Sequence, residues 1–257
     1  MITYYDIGLN LFSRSFPDKE KIIYDAQQAG VACILTGSDA EENEKVHAFV
    51  KTHPCWGTAG IHPHEADHAT DDDLARIEEI LLSNPKMVAV GECGLDYDRM
   101  YSSKENQLLR FRQLIALAEK IRRPLFLHER DAANDFISCF DGHEEICRRS
   151  VVHCYTGDRV TLKTLLAMGF YIGITGWIAD DRRADALRDA APLIPLSRVM
   201  LETDAPYLTP RGIKGLGRTN VPQNIAHVGR ILAKYMGVSE SELVRAAREN
   251  TKEFFHL

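Results

Sequence analysis

Residue types that can hold a divalent cation and activate water recur in this chain at the ends of short apolar runs. Glu92 closes Met87-Val88-Ala89-Val90-Gly91, His128 follows residues 124–127 (PLFL), and His153 follows residues 150–152 (SVV). Glu202-Thr203-Asp204 comes directly after the run at 198–201. Asp6 and Asn10 lie in and just beyond the first run, and His62-Pro63-His64 follows another. A charge at the end of a buried strand is costly unless it is paired or bound to a metal. Imidazoles and carboxylates together suit Mg²⁺, Mn²⁺ or Zn²⁺. Such an ion lowers the pKa of bound water and makes hydroxide available near neutral pH. Asp204 would orient that water or take its proton. The chemistry these residues suit is hydrolysis.

Something must bring these residues to one face. Apolar runs at 3–8, 31–36, 55–60, 87–92, 124–127, 150–152, 170–174 and 198–201 read as strands. Amphipathic stretches at 17–29, 40–52, 71–83, 104–121, 131–140, 159–167 and 181–191 read as helices, and two more follow a Gly- and Arg-containing loop at 209–220. Strand and helix alternate about eight times, which predicts a parallel sheet with helices outside it. In 257 residues this fits a (β/α)₈ TIM barrel forming a single domain over 1–257. Functional side chains of such a barrel project from the carboxyl ends of its strands. An open doubly wound sheet would bring a Gly-x-Gly-x-x-Gly turn after its first strand, and here that turn reads Gly8-Leu9-Asn10-Leu11.

Composition narrows the classes. A formal charge of −6 is not that of a protein coating duplex DNA. The six cysteines are scattered without a Cys-x-x-Cys, which predicts free thiols in a reducing cytoplasm. No secretory leader and no membrane-length apolar run is evident, so no membrane partner is expected. Cys93 adjoins Glu92 and Cys154 adjoins His153, but neighbours on a strand point to opposite faces. Neither pair can then form a thiol–base dyad if its strand runs on through it. Phosphate chemistry is suggested by residues 209–218, where Arg211, Lys214 and Arg218 sit among glycines. His62-Pro63-His64 could hold a phosphate or leaving group over the metal.

Gly60-Ile61-His62-Pro63-His64, Gly91-Glu92-Cys93-Gly94-Leu95-Asp96, His128-Glu129-Arg130-Asp131, His153-Cys154-Tyr155-Thr156-Gly157 and Glu202-Thr203-Asp204-Ala205-Pro206-Tyr207-Leu208 resemble the signatures of the TatD family of metal-dependent deoxyribonucleases. The resemblance runs nearly end to end. It implies an amidohydrolase-like TIM barrel that hydrolyses phosphodiester bonds in DNA, and RNA as a further substrate. It implies Glu92, His128 and His153 as metal ligands, Asp204 as ligand or general base, and His62 as a substrate contact. Glu92 and Asp204 are then the catalytic pair, with His64, Asn10, Arg130, Tyr155, Arg211 and Arg218 assigned to substrate. Two departures stand out. Most members begin Asp-x-His-x-His, whereas this chain reads Asp6-Ile7-Gly8-Leu9-Asn10; the family's Asn-Glu-Pro reads Asn220-Val221-Pro222. The first departure resembles the branch described as Mg²⁺-dependent 3′→5′ exonucleases on single strands. It predicts one well-held ion and a second that is absent or arrives with substrate. The expectation is a cytoplasmic monomer using Mg²⁺. The alternatives are a small-molecule amidohydrolase or lactonase on the same scaffold, and a non-catalytic metal-binding barrel.

Overall fold

The computed structural model describes residues 2–257. Among these, eight strands form one sheet in chain order: β1 (Tyr4–Leu9), β2 (Val31–Leu35), β3 (Trp56–Ala59), β4 (Met87–Asp96), β5 (Leu125–Arg130), β6 (Ser150–Val152), β7 (Tyr171–Ile174) and β8 (Val199–Leu201). The helices are α1 (Lys19–Gln28), α2 (Ala40–Thr52), α3 (Asp71–Ser83), α4 (Lys104–Ile121), α5 (Ala133–Ser138), α6 (Glu144–Cys147), α7 (Arg159–Met168), α8 (Asp185–Ala190), α9 (Ile225–Met236) and α10 (Glu240–Phe255). This is the (β/α)₈ class expected from the alternation. The helices predicted at 40–52, 71–83 and 104–121 coincide with α2, α3 and α4. Each begins at a side-chain cap: Asp39 accepts from Glu42 N, Thr70 and Asp73 form a reciprocal capping box, and Ser103 accepts from Asn106 N.

Contact density divides the chain into two compact units. The first comprises residues up to Leu35, Cys154–Ala167 and Tyr171–Leu257. It contains β1, β2, β7 and β8, with β1 parallel to β2 and β7 parallel to β8. Leu9 bridges to Ala205, so β1 meets the chain leaving β8. Helix α9 buries Ile225, Val228, Gly229, Leu232 and Ala233, the single stripe expected of an amphipathic helix, and ends at Gly237 with φ 70°.

The second unit comprises Thr36–His153 and Met168–Phe170. It contains β3 to β6, all paired in parallel. Its core includes Phe111, Phe136, Phe140 and Phe170, each at most 1 % exposed and in ring contact with one another. The apolar strand expected to stop at Glu92 instead continues to Asp96, and all ten of its residues are buried. Its register against β5 slips between Val90 and Cys93, where three steps on β4 oppose two on β5. Such a bulge turns a side chain out of strict alternation without ending the strand. The glycines flanking Glu92 are required here: a Cβ on Gly91 would lie 2.2 Å from the Phe126 carbonyl oxygen, and one on Gly94 would lie 1.9 Å from that of His128. The helix expected at 131–140 shortens to α5, because Asp131 takes φ 52°.

Candidate metal centre

In the second unit three imidazoles converge on one carboxylate oxygen. Glu92 Oε1 lies 2.8 Å from His153 Nε2, 2.9 Å from His128 Nδ1 and 3.3 Å from His62 Nε2. The bulge aims Glu92, the ends of β5 and β6 supply His128 and His153, and the turn after β3 supplies His62. Burial pushes the Glu92 carboxyl up, but the surrounding histidines, His153 first, hold it well below the usual carboxylate range. The carboxylate is therefore ionised. One donor atom each from His62, Glu92 and His128 lies within 4.8 Å of the others. Ligand bonds of about 2.0–2.2 Å to one small divalent ion require such a separation. The donor set and spacing fit a divalent cation.

The imidazoles are not equivalent. His62 Nδ1 accepts a hydrogen bond from His64 N at 3.1 Å, so its proton sits on Nε2, facing Glu92. Burial pushes His62 down to about 4 despite the neighbouring Glu92, so it is a neutral donor. His128 is held between two carboxylates, with Nε2 3.2 Å from Asp96 Oδ2. Burial works against its charged form, but the bonds to Asp96 and Glu92 outweigh it and raise its pKa.

Asp96 is absent from the residues singled out by sequence, although it closes the same motif as Glu92. Its Oδ2 bonds His128 and, at 2.8 Å, His64 Nε2; its Oδ1 accepts from Asp98 N and Arg99 N. Burial would raise the Asp96 carboxyl, yet these bonds hold it far below its usual range. A buried anion on the far nitrogen fixes ring orientation and raises ligand basicity. The signal was a carboxylate four residues after Glu92, hidden by reading the strand as ended. His64 packs edge-on against Tyr101, and Arg130 Nε stands 4.0 Å from Asp98 Oδ2.

The first unit holds a second polar cluster at the ends of β1 and β8. Asp204 has φ 53°, a conformation non-glycine residues take at a cost. Its neighbours are tied down. Asp6 accepts from Thr203 N at 2.8 Å and bonds the Thr203 hydroxyl, and Asn220 Nδ2 donates to Thr203 O. Asn10 Nδ2 donates to Asp204 Oδ1 at 2.8 Å. Glu202 Oε1 accepts from Cys154 N at 2.5 Å. Burial pushes the Asp6 carboxyl up to about 8 against its bonds from Thr203, so it is protonated at neutral pH.

The same unit carries other predicted residues. Tyr155 is 1 % exposed, and its hydroxyl donates to Asp158 O. Arg211 pairs with Asp180 at 3.3 Å, and the loop carrying Arg218 is tied by Thr209 Oγ1 donating to Arg218 O. β6 ends at Val152, so the alternation argument does not reach Cys154, which has φ 45° and Sγ 3.5 Å from Thr175 Oγ1. β4 does run on through Cys93, but its bulge breaks the alternation there; Cys93 is fully buried.

Parallel strands in chain order, with histidines and carboxylates at the ends of several of them, give the scaffold and the ligand types of a metal-dependent hydrolase. Residues 5–256 match the family model described as TatD related DNase, and the chain belongs to that family. It is 40 % identical over 259 residues to the "3′-5′ ssDNA/RNA exonuclease TatD" of Erwinia tasmaniensis, covering 98 % of this chain and all of that protein. The crystal structure of YjjV, a TatD homolog from Escherichia coli, superposes with a TM-score of 0.89 at 28 % identity, covering 99 % of this chain and 98 % of that one. A TatD family hydrolase from Entamoeba histolytica gives 0.85 at 25 % identity, with 99 % and 98 % coverage. Family membership places the chain among nucleases, enzymes that hydrolyse ester bonds.

Proposed function

We propose that this protein is a metal-dependent 3′→5′ exonuclease on single-stranded DNA and RNA, acting as a cytoplasmic monomer with Mg²⁺. The single observation that carries the metal chemistry is the convergence of His62, His128 and His153 on the ionised Glu92 carboxylate. The polarity and single-strand preference rest on the relatives that match along the whole chain.

Glu92, His128 and His153 would hold the ion, which supplies Lewis acidity and hydroxide at neutral pH. His62, with its Nε2 proton, donates to a non-bridging phosphate oxygen, and His64 stands beside it for the same strand. Asp96 fixes the His128 and His64 rings. Asp204, held by Asn10, takes the proton of the attacking water, a role resting on the motif at the end of β8. Arg130 contributes cationic charge to the substrate side of the second unit.

Digestion of a 5′-labelled single strand with each of Mg²⁺, Mn²⁺ and Zn²⁺ tests this. A ladder shortening from the 3′ end, strongest with Mg²⁺, is expected. Endonucleolytic fragments, or hydrolysis of a lactone panel with the strand left intact, would refute it.

A further inference from the structure

The first unit contains a cavity of about 610 Å³ that neither polar cluster accounts for. Its walls come from the segment after β7 and from the 208–218 loop. They are held close: a Cβ on Gly176 would lie 2.0 Å from the Leu208 carbonyl oxygen. Trp177, Leu208 and Ile213 supply apolar surface, and Arg183, Arg211 and Arg218 supply charge. The only carboxylate among the lining residues is Asp180. It is buried and already engaged by Arg182 at 2.7 Å, Arg183 at 3.0 Å and Arg211 at 3.3 Å. The cavity therefore presents net positive charge beside an apolar floor.

One detail separates this from a general anion patch. The Arg183 guanidinium carbon sits over the Trp177 ring, 3.7 Å from its centroid, while Nε bonds Asp180. The ring backs one face of the guanidinium and the carboxylate fixes its edge. The Arg183 side chain is nonetheless 46 % exposed. A fixed guanidinium plane is a stacking platform for a nucleobase, which a lysine cannot replace.

We propose that this cavity is a nucleotide subsite: the base stacks on the exposed face of Arg183, and Arg211 and Arg218 grip the attached phosphate. A volume of this order holds a nucleoside monophosphate unit. The inference rests on the nuclease reading for its biological substrate, but binding there needs no metal and can be measured separately.

The test uses the full chain with Trp56 replaced by Phe, so that Trp177 is the remaining tryptophan of the two. In EDTA, dAMP should quench Trp177 emission and bind at least about tenfold more tightly than 2-deoxyribose 5-phosphate, because the base adds a stack. Arg183→Lys keeps the charge and loses the plane; it should abolish that preference while leaving sugar-phosphate affinity within about twofold. Arg211→Gln and Arg218→Gln, both on an exposed loop, should weaken both ligands together. Equal affinity of the unsubstituted subsite for dAMP and the sugar phosphate would overturn the stacking assignment, and no quenching at millimolar dAMP would overturn the subsite. Protein that binds dAMP but cleaves no strand would sink the nuclease reading and leave the subsite standing. Protein that cleaves strands but ignores dAMP would do the reverse.

Discussion

Replacing Glu92 separates its structural role from its role in binding metal. In the metal-free protein its carboxylate accepts from or pairs with three imidazole nitrogens, at 2.8, 2.9 and 3.3 Å. Hydrogen bonds to a charged group contribute roughly 1.5–3 kcal/mol each. Against that stands the burial of the charge, an effective cost of several kcal/mol. Glu92→Ala removes both together, and the imidazole left behind at His62 is neutral. The two effects oppose each other, so the metal-free stability should change by less than the several kcal/mol that either alone would give. Metal binding has no such cancellation, because Glu92 is the only anion among the proposed ligands Glu92, His128 and His153. Its loss should weaken the ion by at least about 100-fold, the upper range for losing even an outer supporting group. At metal concentrations about 100 times the wild-type Kd, saturation stabilises by about 2.7 kcal/mol. For a chain of this size that raises Tm by roughly 5–10 °C. Thermal unfolding of wild type and variant, with and without Mn²⁺, should show this shift in the wild type and almost none in Glu92→Ala. Strand hydrolysis should fall below detection. A Glu92→Ala protein with the full metal-induced shift, or with wild-type turnover, would refute the assignment of Glu92.

Asn10→Ala removes the 2.8 Å bond to Asp204 and should lower kcat about tenfold with metal affinity unchanged, as read by steady-state kinetics and calorimetry. Asp6 makes stability pH-dependent in a defined direction. Its folded pKa, about 8, exceeds its unfolded value, so the folded state binds the extra proton between about pH 4 and 8. This contribution is fully present below pH 4, is lost as pH rises towards 8, and is level above that. The difference in urea-derived stability between wild type and Asp6→Asn should therefore move against the wild type by on the order of 1 kcal/mol per unit between pH 5 and 7; a pH-independent difference would refute it. Brief iodoacetamide treatment of the native protein should label Cys154 first, because the other five thiols are buried, as peptide mass spectrometry will show. Titration of metal-stripped protein should give one tight equivalent without DNA; two would show that the β1 end supplies ligands after all.

The fold was legible because its signal is repeated. Helices α2, α3 and α4 carry both the apolar period and a capping residue, and their predicted bounds coincide with those observed. Most strand cores were equally plain as short apolar runs. The site was legible as residue types but not as partners. Two bulges explain much of the shortfall. One in β4 carries the strand past Glu92 and hides Asp96; one in β1, between Asp6 and Leu9, breaks the alternation that would have placed Asp6. A bulge is a one-residue event that period-two reading cannot register. The arginine cluster on Asp180 was hidden for another reason. The stretch 181–191 reads as one helix, yet α8 starts at Asp185, because Arg182 and Arg183 turn back to the carboxylate.

The missing imidazole pair at the β1 end acquires a physical meaning from the first unit. Where most of the family has histidines, Gly8 has no side chain to offer and Asn10 spends its amide on Asp204. The side of Asn10 facing Asp204 is its NH₂ group, which donates to Asp204 Oδ1 and cannot ligate a cation. Asn10 is also anchored through its backbone, its N–H donating to Ala205 O at 2.9 Å. Asp6, buried and protonated, fixes Thr203. Strand one thus supplies a hydrogen-bond donor to Asp204 and an anchor for Thr203. On the proposed reading, ion binding would fall to Glu92 and its histidines, and Asn10 would hold Asp204 in the conformation from which it accepts a proton.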